Sequence, residues 1–386
     1  MNVLNIATLN RPIGADLGYA PIETVIYNID KGLHELGHHS IVACSGDSRV
    51  SGEKFQTIPK SFSEYHSSDT VAQREDMRKH LALSLKRANE KDIDVIHLHD
   101  AAMTEYIYNG RKDAKVPIVL TLHVPAEEKG SFRLWNESLT ESSAVFFVPI
   151  SEFQKKQNQG LVNMQNVIHH GIDVETYPFL RKTGNPDYLF SIGRITPDKG
   201  QNIAIEVARQ TGSKLFIAGN VQNKRQDREY FESLRALIDL EVDAGAHPAG
   251  ADYHETVIKP LLDSEKRIIY IGELDSDQKK IWYGHAKALL FPIQWGEPFG
   301  LVLIEAMACG TPVAAFARGS APEIVVNGKT GFITHSAGEM REAVRKLDSI
   351  SRDDCRRHVE ENFSISVMTE KYAALYSRLA TRRSHA

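Results

Sequence analysis

Cysteine is scarce in this chain: Cys44, Cys309 and Cys355 are the only three in 386 residues. They are far apart and odd in number, so they support neither a disulfide framework nor a zinc-binding spacing, and a reduced setting fits best. Long apolar runs are also missing. The longest, AVFFVPI (144–150) and ALLFPI (288–293), fall far short of the roughly 20 residues a bilayer span needs and read as buried strands. A membrane-spanning protein is excluded, whereas peripheral membrane contact stays open but unsupported. An excess of one charge is absent too. Lys plus Arg number 46 against 50 Asp plus Glu, a net charge of −4, which argues against nucleic acid as a partner. The opening residues MNVLNIATLN carry no basic stretch and no cleavage pattern, so a cytoplasmic location is the expectation. No GxGxxG follows the first apolar run, which disfavours a dinucleotide-dependent oxidoreductase.

What is present is ordinary for a soluble globular chain, with 42% apolar and 25% charged residues. The length suggests two or three domains. Short apolar runs alternate with longer amphipathic stretches, the mark of βαβ units and largely parallel sheets. VLNIATLN, HSIVACSG, DVIHLHD, PIVLTLHVP and SAVFFVPI read as strands, residues 22–36 and 71–91 as helices, and VNMQNVIHHGID (162–173) as the last strand of the first half. The polar stretch PFLRKTGNPD (178–187) is a plausible linker, after which the alternation restarts at YLFSIGR. The expected domains are 1–178 and 179–364. A helical tail over 365–386 carries a one-sided apolar stripe at Val367, Met368, Tyr372, Leu375, Tyr376 and Leu379 and needs a surface to cover it.

The strongest chemical signal is GEPFGLVLIEAMACG (296–310). Glu297 precedes a short helix expected from about Gly300 to Ala308, and Glu305 lies on it among apolar neighbours. Burying such a carboxylate is expensive unless it has a partner. That partner is either a structural ion pair or a ligand. Eight residues at helical rise separate the two carboxylates by at most about 12 Å, the reach of a nucleotide-sugar from sugar ring to ribose. The free N–H groups of Phe299, Gly300 and Leu301 would lie between them and suit a phosphate or a hydroxyl. SIGRITPDKG (191–200) adds Arg194 and Lys199 just past a strand that ends at Gly193, two cations that suit a pyrophosphate.

Together, GRITPDKG, EPFGLVLIEAMACGTPV and APEIVVNGKTGF (321–332) resemble the retaining family 4 (group 1) glycosyltransferases of the GT-B fold. GYAPIETVIYNIDKGLHELGHHSIVACSGDS (18–48) and the histidine-bearing DVIHLHD and LTLHVP resemble the family's N-terminal half. His169-His170-Gly171 departs from the Pro-Asn-Gly found in many members. The resemblance implies an α/β protein with two Rossmann-like domains whose parallel sheets face a central cleft. It further implies that the tail helix crosses back to the N-terminal domain, which binds the acceptor, while the C-terminal domain binds the donor. The reaction implied moves a hexosyl unit from a UDP- or GDP-linked sugar to a hydroxyl of a sugar, small-molecule or lipid-linked acceptor, with retention and without a metal or other cofactor. Residue by residue, Glu297 would contact the transferred sugar and Glu305 the ribose. Arg194, Lys199, Gly18, Gly300 and Leu301 would hold the pyrophosphate, with Phe299 and Gly300 beside the sugar. His123 would reach the sugar, and Gly272, Glu273 and Leu274 would flank the base.

Other features are open. His97 and His99 alternate with Ile96 and Leu98 and so share a strand face, where they are core residues, acceptor contacts or, lacking a third ligand, an unpromising metal pair. Glu127, Phe132 and Trp135 follow His123 as a loop tip or an acceptor-recognition loop, since exposed aromatics stack on sugars. His99, Glu127 and Trp135 are the acceptor candidates. A synthase- or phosphorylase-like member and a catalytically silent nucleotide-sugar sensor remain the alternatives.

Overall fold

The computed structural model describes residues 1–15, 17, 20–62, 70–90, 92–99, 116–123, 145–161, 163–181 and 188–383. The chain divides into two compact units, Met1–Ile172 with Ser364–Ala386, and Asp173–Phe363. The break falls ahead of the polar linker, because residues 173–178 already belong to the second unit: the Tyr177 carbonyl accepts from Arg356 at 2.8 Å.

In the first unit six strands, β1 (Asn2–Ile6), β2 (His39–Ser45), β3 (Glu53–Ile58), β4 (Val95–Leu98), β5 (Ile118–Leu122) and β6 (Val145–Pro149), form one parallel sheet in the order β3-β2-β1-β4-β5-β6. Helix α1 (Pro21–Glu35) starts on a proline at its first turn, where the missing N–H is no loss. Helix α2 (Thr70–Ala88) supplies Leu81 and Leu85 to the core beneath Leu4, Ile6, Ile96, Leu98 and Leu120. Both sheet faces are covered, so β4 and β5 are buried throughout. In β4 the alternation sends Ile96 and Leu98 into that core and turns His97 the other way. No strand forms among the described residues of this segment, 163–173. Asn163 sits at φ 61°, in the left-handed region, and the segment makes only isolated bridges, Phe147 to Met164 and Ile172 to Ser364.

The C-terminal helix, Ile365–Arg383, covers the face that carries His97. Met368, Tyr372, Leu375, Tyr376 and Leu379 are buried, as the stripe demands, while Val367 is half-buried. The Tyr372 hydroxyl meets Thr121 Oγ1 at 2.8 Å, and the Tyr376 hydroxyl meets His97 Nδ1 at 2.6 Å. Against α1 the approach is close: a methyl at Gly32 would overlap the Thr369 side chain and come within 2.7 Å of Ile365 Cγ2. Gly32→Ala is therefore expected to force the two helices apart and remove about 1–3 kcal/mol of stability. Thermal unfolding checks this, and an unchanged melting temperature would contradict so tight a crossing.

The second unit carries seven parallel strands, β7 (Tyr188–Ile192), β8 (Lys214–Ala218), β9 (Leu240–Glu241), β10 (Ile268–Tyr270), β11 (Ala288–Phe291), β12 (Val313–Phe316) and β13 (Gly331–Thr334), ordered β13-β12-β11-β7-β8-β10-β9. Trp282, on helix α3 (Ser276–His285), packs on Tyr188, Phe190 and Phe216 and is fully buried. Helix α4 (Leu301–Ala308) follows β11. A further helix spans Arg225–Arg235.

Candidate active site

In the second unit's sheet β11, β7, β8 and β10 are neighbours, so the loops leaving their carboxyl ends lie side by side although far apart in sequence. That edge is where open α/β sheets bind ligands. It brings together the 193–200 loop with Arg194 and Lys199, the 294–300 loop with Glu297, and the 271–274 loop.

The 294–300 loop is pinned from two sides. Gln294 N–H donates to the Asp198 carbonyl at 2.7 Å, tying it to the loop after β7. Ser320 N–H donates to the Glu297 carbonyl at 2.9 Å, and Ser320 Oγ to the Phe299 carbonyl at 2.7 Å. A side chain at Gly319 (φ 59°) would overlap the Glu297 backbone, so only glycine allows this contact. Gly300 then takes φ 82° and serves as the N-cap of α4, with no side chain capping the helix. The helix begins at Leu301, one residue later than the sequence suggested.

Held this way, the Glu297 carboxylate receives Lys199 Nζ at 2.7 Å, with both side chains about six-sevenths buried (14% and 16% exposed). The same ammonium lies 5.6 Å from the Trp295 ring centre. Arg194 reaches Gln222 Oε1 at 3.4 Å through one guanidinium nitrogen, while its buried Nε has no hydrogen-bond partner among the described residues. A buried guanidinium N–H without a partner is costly unless an anion takes it up. The two cations and one carboxylate therefore form a part-buried cluster with one positive charge in excess.

Glu305 is buried on α4, and the ion pair weighed for it exists. Lys279 Nζ donates to Oε1 at 2.7 Å, Tyr283 Oη to Oε2 at 3.0 Å, and Tyr177 Oη to Oε1 at 3.4 Å. Burial first, and the neighbouring carboxylate second, push both phenols well above their usual range, so both act as donors. The sequence reading missed these partners. One signal was available: Asp275 and Gln278 make a capping box that fixes where α3 starts. With that start, Lys279 and Tyr283 fall four apart on one helix face.

In the 271–274 loop Gly272 takes φ 78° and its carbonyl accepts from Gly219 N–H at 2.8 Å. Glu273 Oε1 accepts from Asn220 at 3.4 Å, and Leu274 is buried.

In the first unit His99 follows β4 and His123 follows β5, again at strand carboxyl ends. Their rings meet, His99 Nδ1 to His123 Nε2 at 3.2 Å, and His123 stacks on His170 with centres 5.1 Å apart. Burial drops His123 to about 3 and holds His97, His99 and His170 well below the usual value, so all four are neutral at physiological pH. Gly18, Glu127, Phe132 and Trp135 lie outside the described residues. Among the described residues no three His, Cys, Asp or Glu side chains gather as a metal site would require, and no helix is long and apolar enough to cross a membrane.

Residues 22–176 match the family model "Glycosyltransferase Family 4", and residues 249–364 match "Glycosyl transferases group 1". A D-inositol 3-phosphate glycosyltransferase of Corynebacterium glutamicum (strain R) is 26% identical over 333 residues, covering 78% of this chain and 74% of that protein. The putative glycosyltransferase YtcC of Bacillus subtilis (strain 168) is 23% identical, covering 75% and 74%. Among solved structures, sucrose-phosphate synthase from Thermosynechococcus elongatus superposes with TM-score 0.74 at 16% identity, over 99% of this chain and 100% of the other. Anabaena HepE in complex with UDP-glucose does so with TM-score 0.68 at 18% identity, over 98% and 100%. Two parallel-sheet α/β units, the strand-end loops just described and these matches along both halves have one reading: the chain belongs to the group 1, family 4 glycosyltransferases and has their GT-B fold.

Proposed function

We propose that this protein transfers a hexosyl unit, with retention, from a UDP- or GDP-linked sugar to a hydroxyl of a sugar, small-molecule or lipid-linked acceptor, and needs no metal. The carrying observation is the cluster at the carboxyl edge of the second sheet, where Arg194, Lys199, Glu297 and the uncapped start of α4 converge. The UDP-glucose complex of HepE supports a nucleotide-sugar as donor.

Pyrophosphate leaves readily once its charge is held, so strong acid catalysis is unnecessary. Arg194 offers a planar fork with an unused N–H, Lys199 a point charge, and the N–H groups at Gly300 and Leu301 the positive end of a helix. These groups do what a divalent cation does elsewhere. Donor binding releases Lys199 from Glu297 toward phosphate, leaving the carboxylate free for the sugar, where positive charge develops at the anomeric carbon. Phe299 and Gly300 line the sugar, and Gly272, Glu273 and Leu274 flank the base. Gly18 is proposed beside the phosphates on the family resemblance, and Glu127 and Trp135 near the acceptor from their place in sequence after His123; His99 is buried with both ring nitrogens engaged and is not proposed as an acceptor contact. The departing phosphate accepts the proton of the attacking hydroxyl as the new glycosidic bond forms on the same face. His123 is proposed to reach the sugar, as the family resemblance implies.

Glu305 retains lone pairs beyond its three donors and takes the ribose hydroxyls. Glu305→Gln should therefore do two things. It should weaken free nucleoside diphosphate by roughly ten- to hundredfold, the worth of a charge-assisted hydrogen bond. It should also lower the melting temperature, because Lys279 loses its counter-charge. Calorimetry and thermal unfolding separate the two effects. A destabilised variant with unchanged affinity would make Glu305 purely structural.

A thermal-shift panel of nucleoside diphosphates and their sugars tests the donor class. A ligand at a hundred times its Kd stabilises by about 2.7 kcal/mol. Stabilisation by UDP or GDP compounds and not by nucleoside monophosphates is the expected outcome, and no response to any of them would refute the reading.

A further inference from the structure

A line of buried polar side chains crosses the first sheet and ends at His123. The Asp30 carboxylate accepts from Ser40 Oγ at 2.5 Å and from the backbone N–H groups of Ser51 and Gly52 at 2.6 and 3.1 Å. Ser40 Oγ is also 3.1 Å from Asn5 Nδ2. Asn5 Oδ1 is 3.4 Å from His99 Nε2, and His99 Nδ1 is 3.2 Å from His123 Nε2. Asp30, Ser40, Asn5 and His99 are all at most 1% exposed. The remaining ring nitrogen, His123 Nδ1, is buried and has no hydrogen-bond partner among the described residues.

Proton counting along this line leaves one arrangement. Ionised Asp30 can only accept, so the single Ser40 hydroxyl proton goes to it. Ser40 Oγ must then accept from the Asn5 amide nitrogen, which turns the amide oxygen toward His99. An amide oxygen has no proton to give, so His99 Nε2 carries the ring proton and Nδ1 is the bare nitrogen. The contact between the two histidines then needs a proton from His123 Nε2. Neither ring holds a second proton, since burial keeps both neutral.

We infer that Asp30, Ser40, Asn5 and His99 are positioning residues that lock His123 in its Nε2–H form, so that Nδ1 presents a bare lone pair to ligand. Such a nitrogen accepts from an O–H and repels a phosphate oxygen, which has nothing to donate. His123 thereby selects a hydroxyl-bearing ligand and cannot serve as a phosphate clamp. With its ring held to about 3, it is also too weak a base to remove a hydroxyl proton, and it orients the hydroxyl instead. That the hydroxyl belongs to a sugar rests on the glycosyl-transfer reading above; the tautomer does not.

The test uses the full chain labelled with 15N-histidine, and long-range proton–nitrogen correlation spectra at pH 7.5, where each ring tautomer has its own pattern. His99→Gln and His123→Gln assign the signals by their disappearance. The expected result is one tautomer, Nε2–H, at both residues. An Nδ1–H signal at His123 in the wild-type chain would overturn the inference. Asn5→Leu and Ser40→Ala each break the line, and a second tautomer should then appear at His123. Should either variant stay folded by its melting curve yet keep pure Nε2–H, the line does not set the tautomer and the inference fails. Should the wild-type tautomer and its loss in the variants both appear, while no UDP- or GDP-sugar binds, the relay stands and only the glycosyl-transfer reading falls.

Discussion

Replacing Glu297 with glutamine is expected to cut turnover by at least about a hundredfold while leaving nucleoside diphosphate affinity unchanged or slightly tighter. The second half of that expectation comes from the ion pair. Without donor, Glu297 holds Lys199 at 2.7 Å, so the carboxylate competes with phosphate for the same ammonium. Removing its charge frees Lys199 and costs free nucleotide nothing. The first half follows from where charge appears: Glu297 is proposed to contact the sugar, where its interaction strengthens only as the anomeric carbon becomes positive. The loss should therefore fall on kcat more than on KM for the donor. Calorimetry with UDP and GDP beside steady-state kinetics decides the matter. A variant that no longer binds nucleotide would reverse the roles of Glu297 and Glu305, and one with normal turnover would remove Glu297 from the reaction.

Acidification is expected to unfold the N-terminal unit first, between about pH 6 and pH 5. Five of its histidines are neutral, four of them buried and His123 part-buried: His80 is dropped to about 4 and His123 to about 3, while His97, His99 and His170 lie well below the ordinary 6.5. In the unfolded chain each regains that ordinary value and binds a proton that the folded form refuses. Stability is therefore complete above about pH 6.5 and is lost as the pH falls toward the folded values. At pH 5.5 each such group costs about 1.4 kcal/mol, so five together approach about 7 kcal/mol, comparable with the whole stability of a domain. Asp30, which burial pushes upward, offsets a small part, because it gains rather than loses stability on acidification. In the second unit His285, dropped to about 4, and His358, also lowered, are less deeply buried. Urea unfolding at pH 7.5 and 5.5, followed by hydrogen exchange in peptides from β4–β5 and β7–β11, resolves the two units. Equal shifts in both, or none, would contradict the assignment.

The grouping of the candidate site's residues was legible because it is local. Glu297 and Glu305 are eight residues apart on one loop and helix, and Arg194 and Lys199 share another loop, so spacing alone grouped each pair. The parallel sheets were legible because their strands are apolar on both faces and stand out against amphipathic helices. What stayed hidden depends on distance in sequence. Tyr177 reaches Glu305 across 128 positions, and Tyr376 reaches His97 across 279. No periodicity encodes such meetings. The edge strand β3, EKFQTI, was passed over because its outer half is exposed and its alternation weak. The segment 162–173 misled in the other direction: Val167, Ile168 and Ile172 read as a strand, but the left-handed turn at Asn163 leaves it outside the sheet.

In the proposed reaction this chain breaks the bond between a sugar and a nucleoside diphosphate using its own cations. The most direct measurement is nucleoside diphosphate release from a panel of UDP- and GDP-hexoses, with the purified chain in EDTA, for the wild type and for Lys199→Ala and Arg194→Ala. Slow release from at least one donor without any acceptor is expected, undiminished by EDTA and reduced at least about tenfold in each variant. Release that vanishes on chelation and returns with a divalent cation, or release undiminished in either variant, would contradict it.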